Sequence, residues 1–360
     1  MELTSEQRAL RDSVRSLLRR HQPAAEASQT EPDGDPAGLW QKLCGIGVAG
    51  LAVPESFGGA GAGPVEVSIV AEELGRVLAP TPLLGSAILA AEAILGTGDT
   101  DACERLLPEM ISGNVIGALA WTGHGGGWDP AVPAFHAAER AGGGWTLTGA
   151  AHYVLEGDHA DVLIAAAQLP DGGVGLFEVD PAQPGVDRHL SPSMDQTRRL
   201  AVVRLAAGAD RPLGAGYLSG RSGQAGGGPS RSGRAALARA RDLACIALSA
   251  EQVGAASRAF ELTVSYTGSR VQFGRSIASF QAIQHRLADL HVLVESARAL
   301  AYRAAQVAAL SAAGGGPPGD ADPGAEVTML AAAAKAYCSE ALATVAGEMI
   351  QLHGAIGATW

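Results

Sequence analysis

Two short runs carry the residue types that could grip a large ligand with an anionic and an aromatic part. One is Arg270-Val-Gln-Phe-Gly274 with Ser279-Phe-Gln281 behind it; the other is the closing Gln351-Leu-His-Gly-Ala-Ile-Gly357. Arg270 offers a fork of N–H donors suited to a diphosphate. Phe273 presents an apolar face to a ring, and Gly274 lets backbone approach a ligand closely. Ser279 has N-cap chemistry, which would put Phe280 and Gln281 in the electropositive first turn of the next helix. Gln351, His353 and Gly354 finish the last apolar-periodic segment. Both patches lie at helix ends and suit two halves of one cofactor site. On chemistry alone they also suit a helix–helix corner closed by a C-cap glycine.

Other chemistries find no support. No Gly-x-Gly-x-x-Gly follows a strand, and Walker, His-Glu-x-x-His and Gly-x-Ser-x-Gly patterns are absent. Cys44, Cys103, Cys245 and Cys338 are scattered without Cys-x-x-Cys spacing, as expected of buried free thiols in a reducing compartment. His152, His159, His285 and His353 have no partner at ligand spacing, so no metal is expected. The net charge of -11 argues against a nucleic-acid surface but not against a locally positive pocket built from a few arginines. The N-terminus lacks the basic and apolar regions of a signal peptide, and no uncharged apolar run is long enough to span a bilayer. A cytoplasmic protein without membrane insertion is the expectation.

The elements that must position the two runs follow from the hydrophobic period. At 360 residues, 47% hydrophobic and 18% charged, the chain is long enough for two or three packed units. Residues 1–115 read as a helical domain: Thr4-Ser-Glu-Gln7 fits a capping box, and Leu10, Val14, Leu17 and Leu18 follow at helical spacing. Segments from Leu39 to Leu51, Val65 to Leu78, Leu83 to Leu95 and Ala102 to Ser112 continue the helical pattern between proline breaks. Over residues 116–206 the period shortens. Trp145-Thr-Leu-Thr, Tyr153-Val-Leu, Val162-Leu-Ile, the run from Val174 to Val179, and Leu200-Ala-Val-Val read as strands of a small barrel or sandwich. Residues 207–234 read as a Gly/Ser-rich linker. Three long segments in 235–360 (Ala235 to Gly268, Ser279 to Ala312, Glu326 to Leu352) suggest an antiparallel helical bundle. Helices, then strands, then helices make an α+β chain, mostly α, not a βαβ alternation.

The segment from Arg270 to Leu290 resembles the acyl-CoA dehydrogenase family, as does the ending from Gln351 to Gly357. So do Val53-Pro-Glu-Ser-Phe-Gly-Gly59, Glu72-Glu-Leu-Gly-Arg-Val-Leu-Ala-Pro80, the run from Leu147 to Gly157, Ala160-Asp161 and Asp195-Gln-Thr-Arg198. These pieces stand in family order along essentially the whole chain, as in an actinobacterial member with a shortened C-terminus. The resemblance implies a flavoprotein, usually tetrameric, that uses FAD to desaturate an acyl-CoA substrate and passes electrons to an electron-transfer flavoprotein. It implies contacts from Arg270, Phe273 and Gln281 to the pyrophosphate and adenine side, with Gln351 and Gly354 at the same end. Thr122 stands where the family has a flavin-contacting Thr in a Thr-Glu pair, though Gly123 follows it here. Leu155 stands where many members place a Thr near the flavin ring.

The catalytic carboxylate departs from the pattern. By the resemblance it belongs either in a loop beyond the Gln-x-x-Gly-Gly ending, past Trp360, or early on the first bundle helix, where Ala244 stands. Glu251 lies seven residues on, near the same helix face but about 10 Å along the axis. It is the one weak candidate for the base; its other reading is a surface or subunit contact. Asp242 lies on a different face. Two expectations stay open: a complete dehydrogenase, or a non-catalytic FAD-binding partner in a mixed tetramer, as in family members acting on sterol side chains. An oxidase that passes electrons to oxygen is a further alternative.

Overall fold

The computed structural model describes residues 3–21, 36–209, 211–214, 233–312 and 323–358. By contact the chain forms two compact units that cut across the order of the sequence blocks. One is built from the described parts of 1–32, 63–79 and 245–360; the other from those of 33–62 and 80–244.

The helical unit contains α1 (Ser5–His21), α3 (Pro64–Arg76) and three long helices at its C-terminal end. The Thr4/Gln7 capping box forms as the sequence predicts, each residue's side chain accepting the other's backbone N–H at 3.2 and 3.0 Å. Of the long helices, α6 (Gly233–Ser269) belongs to this unit from Cys245 onward, followed by α7 (Gln281–Ala312) and α8 (Pro323–His353). Small residues let these helices approach closely. At Gly254 on α6 an added Cβ would lie 1.9 Å from the Glu72 carbonyl oxygen of α3, and at Gly75 it would lie 2.0 Å from the Glu251 carbonyl oxygen. Two facing glycines therefore bring α3 and α6 into backbone contact. Farther along, Ala256, Leu290, Val294, Val345 and Leu352 form one buried cluster joining α6, α7 and α8.

The second unit holds α2 (Pro36–Gly45), a π-helical segment (Leu83–Ala90), α4 (Ala91–Thr97), α5 (Thr100–Ser112) and the sheet. Its strands are β1 (Gly117–Ala120), β2 (Phe135–Glu139), β3 (Trp145–Leu155), β4 (Val162–Gln168), β5 (Val174–Val179), β6 (Val186–Leu190), β7 (Leu200–Ala209) and β8 (Arg211–Leu213). The order is β6-β7-β3-β2-β4-β5-β8, with β1 and β2 both pairing parallel to β4 and the other ladders antiparallel. Along β4, Val162, Ile164 and Ala166 join a cluster with Leu107 of α5 and Leu119 of β1. Leu163, Ala165 and Ala167 face a second cluster with Phe135, Leu147, Phe177 and Val203. Both faces of the central strand are thus buried, and its run Val-Leu-Ile-Ala-Ala-Ala is apolar throughout.

Some elements differ from the sequence expectation. Trp145-Thr-Leu-Thr and Tyr153-Val-Leu belong to the single strand β3, because Gly149 continues the ladder opposite Leu205. Strands β1, β2 and β6 had no clear alternation: β1 is Gly-Ala-Leu-Ala, buried at every position. Residues 207–209 and 211–213 are strand, since Ala207 and Ala209 pair with β3 and Leu213 with β5. The rest of the expected linker up to Gly233 lies outside the described residues.

Candidate functional site

The Arg270 run is a hairpin, not a helix corner closed by a glycine. After Ser269 ends α6, β9 (Val271–Gln272) and β10 (Arg275–Ser276) pair antiparallel around Phe273-Gly274. Both loop residues have positive φ, 53° and 76°, as a two-residue turn of this twist demands. Glycine adopts that conformation freely; phenylalanine does so only at some cost. The strained backbone holds the Phe273 ring 92% exposed. The guanidinium of Arg275 stacks 3.9 Å over the Phe280 ring, and Phe280 meets Phe273 edge-on with centroids 6.2 Å apart.

Ser279 does not cap α7. It closes a short 3-10 turn (Ile277–Ser279), and its hydroxyl donates to the Ser276 carbonyl at 2.6 Å. Phe280 is extended, its carbonyl accepts the N–H groups of Ile283 and Gln284, and the helix starts at Gln281. The turn draws the serine hydroxyl back to its own residues, so Phe280 takes the cap position. Gln281 is nevertheless in the first turn, and exposed.

The second run meets the first in the same unit. Helix α8 ends at His353, and Gly354, with φ 67°, turns the chain into a 3-10 segment ending at Ala358. Tyr266, in the last turn of α6, stacks on His353 with ring centroids 4.3 Å apart and planes 20° apart. Gln351 and Gly354 are exposed, as are Arg270 and Phe273. Five sequence-selected residues (Arg270, Phe273, Gln281, Gln351, Gly354) are thus gathered at the α6–α8 end of the helical unit. Space remains there: an added Cβ at Gly274 or Gly354 would meet nothing within 4 Å. A guanidinium, two side-chain amides, an uncovered aromatic ring and open backbone together fit the diphosphate and adenine of a dinucleotide. Tyr266 escaped the sequence reading; it lies in the last turn of α6, and its carbonyl accepts the N–H of Arg270 just beyond the helix end.

Thr122 lies in the other unit and is buried. Its hydroxyl donates to the His152 carbonyl, and its own carbonyl accepts the His152 N–H at 2.8 Å. His152 and Tyr153 form a β-bulge in β3, between the pairs Ala151–Val203 and Val154–Ala201. The ring of His124 meets that of His152 at 4.7 Å. Burial lowers the His152 pKa, with His124, Arg204 and His189 adding to the effect. Leu155 ends β3 against the π-helical segment, where an added Cβ on Gly85 would lie 2.9 Å from its own Cβ.

Of the carboxylates, Asp242 is buried and held by Arg241 at 2.7 Å. Glu251 is half-buried on α6, and Ala244 is buried. A polar cavity of about 600 Å³ between α1, α3 and α7 has its charges already matched. Arg15 donates to Glu73 at 2.6 Å, while Arg298 and the Tyr302 hydroxyl donate to Glu72 at 3.3 and 2.9 Å. None of the four cysteines is in a disulfide and all are buried, and burial pushes the Cys44, Cys103 and Cys338 thiols up to about 11. Among the described residues no cluster has a metal-ligand set, and no helix is long and apolar enough to cross a membrane.

Comparison with known proteins adds to this geometry. Residues 4–114 match the family described as acyl-CoA dehydrogenase, N-terminal domain, and residues 231–360 match acyl-CoA dehydrogenase, C-terminal domain. A relative from Mycobacterium tuberculosis, acyl-CoA dehydrogenase IpdE2, is 37% identical over 358 residues, covering 99% of this chain and 87% of its own. Among solved structures, a variant of the Tcur3481-Tcur3483 steroid ACAD is 31% identical with a TM-score of 0.78, covering 98% of this chain and 88% of its own. The ChsE4-ChsE5 complex from Mycobacterium tuberculosis is 26% identical with a TM-score of 0.81, covering 99% and 89%.

Proposed function

Because the chain belongs to the acyl-CoA dehydrogenase family, an oxidoreductase family of flavoproteins, we propose that it binds FAD and desaturates an acyl-CoA thioester between its α and β carbons. The observation that carries this is the gathered, exposed donor set at the α6–α8 end, with Phe273 uncovered beside it. Arg270 would hold the pyrophosphate by paired N–H donors, and Phe273 would lie along the adenine side. Gln281, Gln351 and the open backbone at Gly354 complete that end. Bound flavin would supply the hydride acceptor.

A thioester leaves its α-proton only weakly acidic, so a placed carboxylate and hydrogen bonds to the thioester oxygen are both needed. Asp242 is held by Arg241, which leaves Glu251 as the candidate base within this chain. The electron acceptor in this reading is an electron-transfer flavoprotein, the assembly a tetramer and the compartment the cytoplasm.

A second reading has its own support. Ala244 puts a methyl where the resemblance places an acid. That favours a chain that helps to hold FAD while a partner subunit supplies the base, and the similarity to the ChsE4-ChsE5 complex agrees with it.

The test is an absorption spectrum of the purified protein, alone and with acyl-CoA added anaerobically. A flavin band that bleaches supports the complete enzyme and makes Glu251→Gln the next variant. A band that persists supports the partner reading. Protein that binds no FAD overturns both.

A further inference from the structure

We propose that Tyr266 and His353 are positioning residues, which hold the Arg270 hairpin and the Gln351–Gly354 turn at the spacing that the adenosine end of a dinucleotide needs. The inference rests on the flavin reading and adds residues that touch no ligand themselves. Tyr266 is joined to both patches. Its carbonyl accepts the Arg270 N–H at 2.8 Å, and its hydroxyl donates to the His353 carbonyl at 3.3 Å. That carbonyl belongs to the last residue of α8, immediately before Gly354, where helix ends leave acceptors without an intrahelical partner. The ring stack at 4.3 Å adds a planar contact that fixes the rotation of one helix end against the other.

The His353 ring is itself held. Its Nδ1 donates to the Met349 carbonyl at 2.7 Å, which sets the ring orientation under Tyr266. On the hairpin side, the Ser276 hydroxyl donates to the Thr267 carbonyl at 2.9 Å and the Ile277 N–H to the Arg270 carbonyl at 2.9 Å. The hairpin is thus tied to the last turn of α6, and that turn to the end of α8 through the Tyr266–His353 stack. Arg270 and Gln351 are exposed, so their spacing is set by what lies behind them. Ligand donors kept at a fixed distance before binding lose less entropy on binding, which is the advantage such a tie provides.

The test uses flavin-free full-length protein and three probes: FAD, ADP, and FMN, which lacks the adenosine end. Affinities are measured by fluorescence or calorimetric titration for the wild type, Tyr266→Leu, Tyr266→Phe and His353→Leu. Tyr266→Leu is expected to weaken FAD and ADP about tenfold, the size of one lost aromatic contact with its hydrogen bond, while FMN is unaffected. Tyr266→Phe, which keeps the stack, is expected to recover FAD affinity to within about threefold of wild type, and His353→Leu to behave like Tyr266→Leu. Equal weakening of FAD and FMN, or wild-type FAD affinity in Tyr266→Leu, overturns the proposal. Should Tyr266→Leu fail to fold, the FAD-to-FMN ratio of His353→Leu against Tyr266→Phe decides in the same way. Wild-type protein that binds neither FAD nor ADP defeats the flavin reading itself, and the positioning role with it.

Discussion

At the end of α6 and α8 the functional groups face solvent, whereas around Thr122 they face one another. Arg270, Phe273, Gln281 and Gln351 are exposed, and their order comes from a strained hairpin turn and a helix end. The Thr122 hydroxyl is buried and its hydrogen bond goes to a β-bulge. The first region can lose a side chain at little cost to folding, because solvent already hydrates those groups. The second has a buried group whose removal orphans a partly buried acceptor. Mutations should therefore read out as lost binding in one region and lost stability in the other.

The largest effect is expected behind the exposed region, where its placement originates. Gly254→Val forces a side chain into the Glu72 carbonyl, which would stand 1.9 Å from the new Cβ. Overpacking against backbone, which cannot rotate away, should cost about 3 kcal/mol or more in urea unfolding. Wild-type stability in that variant would mean that α3 and α6 are not in backbone contact.

Arg270→Ala comes next and reverses the readout. Losing charge-assisted bonds to a diphosphate should weaken FAD about ten- to a hundredfold in a titration. The unfolding free energy of flavin-free protein should move by no more than about 0.5 kcal/mol, because the side chain is exposed. An equal loss of stability would erase the contrast between the regions. Thr122→Val is the converse: the His152 carbonyl loses its donor, so unfolding should become easier by about 1–2 kcal/mol. FAD affinity in that variant should stay within about threefold of wild type. A large loss of FAD would show that the hydroxyl turns from His152 to the flavin.

The contrast also explains how far the sequence could be read. Long periodic helices were legible to within a few residues: Ala235 to Gly268 against Gly233–Ser269, and Glu326 to Leu352 against Pro323–His353. The five residues at the helix ends were picked out by the family resemblance, since arginine, glutamine and glycine at helix termini equally suit ordinary caps; what the structure adds is that they share one end of the helical unit. The hairpin at Phe273 was not, since a bulky residue at positive φ contradicts local propensity, and such conflicts gather at sites. Ser279 misled for a related reason: its hydroxyl bonds within its own 3-10 turn rather than to the next helix. Strand β1, Gly-Ala-Leu-Ala, has no alternation because every position is buried, so period alone could not find it. The pairing of Tyr266 with His353 joins residues 87 apart, a relation that only the fold supplies.

The smallest effect expected is a change of slope with pH, confined to the sheet-bearing unit. Burial raises the Glu156 pKa, against the pull of His159, whose Nε2 lies 3.3 Å away. Burial also tends to raise the neighbouring Asp158, but hydrogen bonds from Arg199 and His159 hold its carboxyl below the usual range. The signs follow from linkage. A carboxyl raised by folding stabilises fully below its unfolded pKa, about 4.3 for Glu, and that contribution is lost as pH rises through the folded value. A carboxyl lowered by folding stabilises above its unfolded pKa, about 3.9 for Asp, and loses that as pH falls through its folded value. Glu156→Gln should therefore remove part of the decline in urea midpoint above about pH 4.3, and Asp158→Asn part of the loss below about pH 3.9. Because each acts through folding, neither should change the ratio of FAD to FMN affinity. Movement of that ratio in Glu156→Gln would show that the buried carboxyl of this unit, like the exposed donors of the other, is felt by the ligand.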